Sequence, residues 1–66
     1  MPLTKLQIGD TVDVSYNGTI WWSGVFLRIN SNGTYHVKLV HNNITDDFAY
    51  DMVKMTATTQ DKYTEI

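Results

Sequence analysis

Polar and apolar residues alternate strictly near the start of the chain. Val12, Val14 and Tyr16 fall on one side of this pattern, and polar residues separate them. Such alternation, with β-branched and aromatic side chains, predicts a half-buried strand that ends at Tyr16. Asn17-Gly18 follows directly, and because both residues tolerate positive φ, they predict a two-residue hairpin turn.

A long and mostly apolar stretch over 20–30 predicts the second strand. Because this stretch exceeds the length of a typical strand, we expect it to bend or bulge at Gly24. A bend at that position would let one strand serve both sheets of a small barrel. Alternation returns over 34–40 and predicts a third strand.

Shorter runs predict a turn at 41–43, a fourth strand at 44–48, a single helical turn at 50–52 and a last strand at 53–55. Residues 56–66 are mostly polar and predict a tail that is ordered only in part. Short strands separated by turn signals, without a long helix, favour an all-β fold. We therefore predict a small five-stranded barrel over residues 1–55, with a short 3-10 turn before the last strand.

The size and composition of the chain narrow the classes of protein it can represent. Its 66 residues form one small domain at most, since a chain of this length buries only about 60% of its unfolded surface. The absence of cysteine excludes disulfides and thiolate metal ligands and is typical of a reducing, intracellular compartment. The net charge is −2, which weighs against a nucleic-acid partner. The basic residues are scattered along the chain: Lys5, Arg28, Lys38, Lys54 and Lys62.

No arrangement of residues predicts catalysis or a bound cofactor. Cysteine nucleophiles are absent, and His36 and His41 lie on either side of a strand end, where they should not converge on a metal. Asp46 and Asp47 are adjacent in a strand and point to opposite faces, so they do not form a paired-carboxylate site. We therefore expect a protein that is not an enzyme and holds no cofactor or metal.

Membrane insertion and glycosylation are not expected either. No apolar run approaches the roughly 20 residues that span a bilayer, and the first residues lack the apolar stretch of a signal peptide. N-x-Thr sequons occur at Asn17, Asn32 and Asn43. Without a secretion signal, we interpret these residues as turn asparagines.

Two adjacent tryptophans are the most informative feature of the chain. Trp21 and Trp22 begin the second strand, so they point to opposite faces, and only one of them can enter a small core. We assign Trp21 to packing and Trp22 to the rim. In one interpretation the outer ring simply caps the barrel against Tyr16, Leu39 and the tail. In the other, Tyr16 and Trp22 form the walls of a pocket whose ring faces attract a methylated ammonium or guanidinium group.

Four segments of the chain follow one another as Ile8-Gly9-Asp10-Thr11-Val12, Trp21-Trp22-Ser23-Gly24-Val25, Gly33-Thr34-Tyr35-His36-Val37 and Tyr50-Asp51-Met52-Val53. In order and spacing they are similar to a G-[DE]-x-V opening, a W-Y-x-[GA]-x-V second strand, a G-x-Y-x-V third strand and a terminal helical turn. Over about residues 6–55 the chain therefore resembles the Tudor-type, SH3-like barrels of the Royal superfamily.

This resemblance implies a module that binds a short peptide, with a methylated lysine or arginine held in an aromatic cage. Tyr16 and Trp22 stand where two aromatic walls of such a cage lie in the family. Leu39 replaces the usual third aromatic residue and would form an apolar floor. His41 and Asn43 would close the pocket and orient the ligand.

The acidic residue that many lysine readers carry in the loop after the third strand is absent, and Asp46 or Asp47 would have to replace it. The resemblance also implies a protein or peptide partner such as a histone tail, and an intracellular, nuclear location. Two alternatives stay open. Related small barrels associate with nucleic acids, which would require Arg28, Lys38 and Lys54 to gather on one face with an exposed aromatic ring. The exposed tryptophan would otherwise serve as an oligomer contact in a structural module.

Overall fold

A five-stranded antiparallel sheet dominates the computed structural model, which describes residues 5–64. The strands are joined in the order β4-β3-β2-β1-β5. Their bounds are Thr11–Ser15 (β1), Trp21–Ile29 (β2), Tyr35–Leu39 (β3), Thr45–Phe48 (β4) and Val53–Met55 (β5). A 3-10 turn spans Tyr50–Met52, and a helix, α1, spans Ala57–Thr64. The predicted β-rich fold and the 3-10 turn before the last strand are confirmed.

The second strand is shared between two halves of the sheet. It pairs with β1 over Trp21–Val25 and with β3 over Gly24–Ile29, so the two pairings overlap at only two positions. The pairing with β3 shifts register between Phe26 and Arg28, which makes Leu27 the extra residue of a bulge. The sequence predicted a bend or bulge at Gly24, and the observed bulge lies three residues later.

Gly24 has a different role, which is to let two strands approach closely. It is buried and pairs with Leu39 of β3. A Cβ atom at this position would overlap Cγ1 of Val37 and would lie 3.2 Å from the carbonyl oxygen of Lys38. Only glycine fits at this crossing without displacing β3.

The sheet is open, not closed into the predicted barrel. Within the described residues, the two edge strands, β4 and β5, are not hydrogen-bonded to each other. The sheet is nevertheless curled: the Tyr16 ring, just beyond the end of β1, packs on Phe48 of β4 with ring centroids 4.9 Å apart, although two strands separate β1 from β4. The concave side holds the core: Leu6, Val12, Val14, Phe26, Tyr35, Val37, Leu39, Phe48, Val53 and Met55.

The connection between β1 and β2 is longer than the predicted two-residue turn. Ser15 pairs with Trp21, so the loop covers residues 16–20. The Ser15 hydroxyl accepts a hydrogen bond from the Gly18 N–H at 2.7 Å. The Asn17 side-chain oxygen Oδ1 accepts hydrogen bonds from the backbone N–H groups of Thr19 and Ile20, at 2.8 and 3.0 Å. These side chains satisfy the backbone donors, which lets the loop open at the site where the tight Asn-Gly turn was predicted.

The polar segment that was predicted to be a partly ordered tail contains α1, which packs against β1 and β5. Asp10 anchors this helix from the turn before β1. Its carboxylate accepts hydrogen bonds from Lys62 Nζ at 2.8 Å, the Tyr63 hydroxyl at 2.5 Å and the Gln7 N–H at 2.9 Å. Within residues 5–64, no helix is long and apolar enough to cross a membrane.

Replacing Asp10 with asparagine should weaken the anchoring of α1 and lower the free energy of unfolding by about 1–2 kcal/mol, because hydrogen bonds to a charged acceptor are lost. Burial raises the pKa of the Asp10 carboxyl, but the bonds from Lys62, Tyr63 and Gln7 outweigh it and hold the pKa below its usual value. The stabilisation is therefore full above the unfolded-state pKa and is lost as pH falls through the lower folded-state pKa.

Urea denaturation between pH 2 and 7 measures this effect. Asp61→Asn is the matched control, because Asp61 is exposed on the same helix. If the wild type and Asp10→Asn lose stability equally on acidification, the Asp10 anchor does not stabilise the helix.

Gly24→Ala should destabilise the sheet by about 1–3 kcal/mol, because the added methyl group overpacks a position already in contact with Val37. Thermal unfolding measures the loss, and Ser23→Ala, an exposed change on the same strand, should cost less than about 0.5 kcal/mol. Val37→Ala removes the methyl groups that the side chain added by Gly24→Ala would overlap. The double variant should therefore lose less free energy of unfolding than the sum of the two single losses. Full additivity would contradict the close approach.

Candidate functional site

One end of the sheet brings together most of the residues that the sequence singled out. Because β1 to β4 form an antiparallel meander, the end of β1, the start of β2, the β3–β4 loop and the start of β4 meet at the same edge. We call this edge the rim. Its aromatic residues form two groups, one around Tyr16 and one around Trp22.

The Tyr16 group combines a supported ring with a fixed carboxylate. Tyr16 is 58% exposed, and its ring leans on the buried Phe48 at 4.9 Å. Its hydroxyl donates a hydrogen bond of 2.8 Å to Oδ2 of Asp46. The other oxygen, Oδ1, accepts the N–H of Asp47 at 2.8 Å. Because both oxygens are engaged, the Asp46 carboxylate is held in one orientation beside the phenol.

The same contact perturbs the ionisation of the phenol. The hydrogen bond to Asp46 raises the pKa of Tyr16 above its ordinary value of 10.0, and partial burial and the negative charge of Asp46 act in the same direction. Tyr16 is therefore a neutral hydrogen-bond donor at physiological pH.

The Trp22 group is a stacked pair. Trp22 is 38% exposed, and its ring lies 4.5 Å from the His41 imidazole with an interplanar angle of 25°. A hydrogen bond of 3.0 Å from the Val40 N–H to the Ser23 carbonyl ties the start of the β3–β4 loop to β2. This bond sets the loop so that His41, at its tip, faces Trp22. The register places Trp22 opposite Val14, one diagonal step from Tyr16.

The neighbouring Trp21 faces the opposite side of the sheet, as alternation requires. It is partly buried, and Lys54 Nζ of β5 lies 4.2 Å from the centroid of its ring, a cation–π contact. Trp21 therefore already has a cation partner within the protein and lies outside the rim. It is also outside the hydrophobic core, so its predicted assignment to packing is wrong: the register puts Trp22, not Trp21, on the face of the buried Val14.

Leu39 and Asn43 occupy other surroundings than Tyr16 and Trp22. Leu39 is 2% exposed and belongs to the core. Asn43 has φ 59°, and its N–H donates to the Leu39 carbonyl at 2.9 Å, which closes the β3–β4 loop. Both border a groove on the convex side of the sheet. Of the five site residues predicted from sequence, the structure thus brings Tyr16, Trp22 and His41 to the aromatic side of the rim, whereas Leu39 and Asn43 line the groove.

Asp47 is turned away from the rim. It pairs with His36 across β3 and β4, with 2.6 Å between Nδ1 and Oδ1, and also accepts a bond from Asn30 at 2.9 Å. These hydrogen bonds, His36 first, lower the pKa of Asp47 below its ordinary value. The acidic residue at the rim is therefore Asp46. Among residues 5–64, no group of three or more His, Asp or Glu side chains could hold a metal ion.

The sequence left the choice between Asp46 and Asp47 open and did not single out Phe48 as a site residue. Alternation along β4 carries the missing signal, because Asp46 and the buried Phe48 are two residues apart and share a face. No protein-family model, curated protein or solved structure gives a significant match to this chain. The resemblance to Tudor domains therefore rests on the four sequence segments.

Removing the Asp46 charge should lower the pKa of Tyr16 back toward its ordinary value, because the carboxylate is the main cause of the upward shift. An NMR titration of the tyrosine Cζ resonances in wild type and Asp46→Asn measures this change. Asp51→Asn, an exposed carboxylate of the 3-10 turn, is the control and should leave the Tyr16 titration unchanged. Identical Tyr16 titrations in wild type and Asp46→Asn would show that the hydrogen bond does not form in solution.

Proposed function

We propose that this chain is a non-catalytic binding module that holds a short peptide through a methylated lysine or arginine at the rim. The observation that carries this proposal is the fixed Asp46 carboxylate at the tip of the Tyr16 ring, at the same sheet end as the exposed Trp22. Aromatic faces next to an oriented carboxylate are suited to a cation with apolar substituents.

The physical basis is the balance between attraction and hydration of the ligand. Ring faces attract a cation within about 6 Å of their centroids, and methyl groups weaken its competing hydration. The methylated group lies between Tyr16 and the face of Trp22 that His41 leaves uncovered. His41 supports the indole from behind, and Asp46 offsets the ligand's charge. Leu39 supports the β3 end of the rim from the core instead of lining it.

The architecture supports an SH3-like assignment of the Tudor type. The meander of β1 to β4, the return of β5 to pair with β1, the sharing of β2 between two halves and the 3-10 turn before β5 all fit this fold. The sheet is open between its edge strands, so the assignment rests on strand order, curl and the four sequence segments.

An NMR titration with two pairs of peptides tests the function. One pair carries unmodified or trimethylated lysine, and the other carries unmodified or dimethylated arginine. We expect shifts at Tyr16 and the Trp22 indole N–H with at least one methylated peptide, and weaker binding of its unmodified counterpart. Trp22→Ala and Tyr16→Ala should each weaken binding about tenfold, the loss expected for one cation–π wall.

Trp21→Ala is the matched control, because it removes an equally large ring from the opposite face. Its affinity for the peptide should stay within about twofold of wild type, as expected for a residue outside the site. Absence of shifts with all four peptides, or equal affinity with and without methylation, would refute the proposal. Sedimentation of wild type and Trp22→Ala tests whether Trp22 is instead an oligomer contact. A change in oligomeric state on substitution would assign the exposed ring to a contact between copies of this chain.

A further inference from the structure

The convex side of the sheet carries a groove whose lining contains none of the aromatic rings of the rim. This groove of about 360 Å³ is lined mainly by apolar atoms. Its lining residues are Val25, Leu27, Lys38, Leu39, Val40 and Asn43. This volume lies at the lower end of the range for sites that bind small ligands or single side chains, roughly 300–1,000 Å³.

The bulge in β2 creates this groove. Val25 and Lys38 are cross-strand partners whose side chains point away from the core. The register shift after Phe26 adds Leu27 to the same side of the strand. The β3–β4 loop raises the opposite wall, where Val40 is 56% exposed. An aliphatic surface is thus left open to solvent beside a single cation.

Lys38 is that cation, and its ammonium group has no counter-ion or hydrogen-bond partner among residues 5–64. The other two cations of the sheet are engaged. Lys54 lies over Trp21, and Arg28 donates to Asn30 at 3.1 Å. An unpaired ammonium at the edge of an apolar groove is complementary to an aliphatic side chain that has a carboxylate close by.

We propose that this groove binds an extended acidic peptide segment by taking one branched aliphatic side chain against Val25 and Leu27 while Lys38 pairs with a neighbouring carboxylate. The Asn43 side chain, exposed at the end of the groove, supplies an amide for the peptide backbone. This surface shares the β3–β4 loop with the rim but uses none of the aromatic rings there, so its binding does not require a methylated residue between Tyr16 and Trp22.

The probe is the hexapeptide acetyl-Asp-Asp-Leu-Leu-Asp-Asp-amide, titrated into the full chain and followed by backbone NMR shifts. We expect saturable shifts at Val25, Leu27, Val40 and Asn43. Lys38→Gln should weaken binding about threefold to fivefold, the loss of one exposed ion pair. Val25→Thr keeps the shape of the side chain but adds a hydroxyl, and it should also weaken binding. Lys54→Gln, a cation on β5, should have no effect.

Two control peptides separate the apolar and charged contributions. Replacing both leucines with serine should abolish the shifts, and replacing all four aspartates with lysine should weaken binding strongly. Equal binding of the lysine peptide, or shifts confined to Tyr16 and Trp22, would overturn the proposal. So would concentration-dependent shifts at the groove in the absence of peptide, because they would make a second copy of this chain the occupant.

Discussion

The sharing of β2 between two neighbours is the constraint on which the structure depends. Its first half pairs with β1 and its second half with β3, so the sheet curls around this strand without a second layer. The curl lets about ten apolar side chains enclose a core in a chain this small. It requires Gly24 at the crossing, where β2 and β3 approach too closely for a side chain. The same curl carries the Tyr16 ring across the concave side to Phe48 and Asp46.

Much of this fold was predictable because it follows from local patterns. Alternation fixed β1 and β3 to within one or two residues, and the division of Trp21 and Trp22 between opposite faces follows from the same rule. The polar segment 57–64 gave no such signal. Its helix lacks a continuous apolar face. It is anchored by hydrogen bonds from Lys62 and Tyr63 to Asp10, which is more than fifty positions away in the sequence. Long-range polar contacts of this kind leave no periodic trace in a sequence.

The rim was predictable in part, for a related reason. Side chains at strand ends inherit their direction from the register, so Tyr16 and Trp22 could be placed together. The direction of a loop side chain does not follow from strand register, because the hydrogen bonds of the loop backbone determine it. His41 reaches Trp22 only because Val40 is tied to Ser23, whereas the positive φ of Asn43 serves to close the loop. The Asn17-Gly18 pair shows the same effect, since Ser15 and Asn17 side chains replace the tight turn by a wider loop.

Asp46 connects the candidate site to the stability of the open sheet. The Leu39 N–H donates to the Ile44 carbonyl. By alternation along β4, the backbone of Asp46 therefore also faces β3, and the N–H of Asp47 points to the free edge of β4. Such unpaired donors invite pairing with another chain. The Asp46 carboxylate covers this donor with one oxygen and orients the Tyr16 hydroxyl with the other. One side chain therefore both protects the exposed edge and supplies the negative charge of the rim, so substitutions there affect edge protection and ligand binding together.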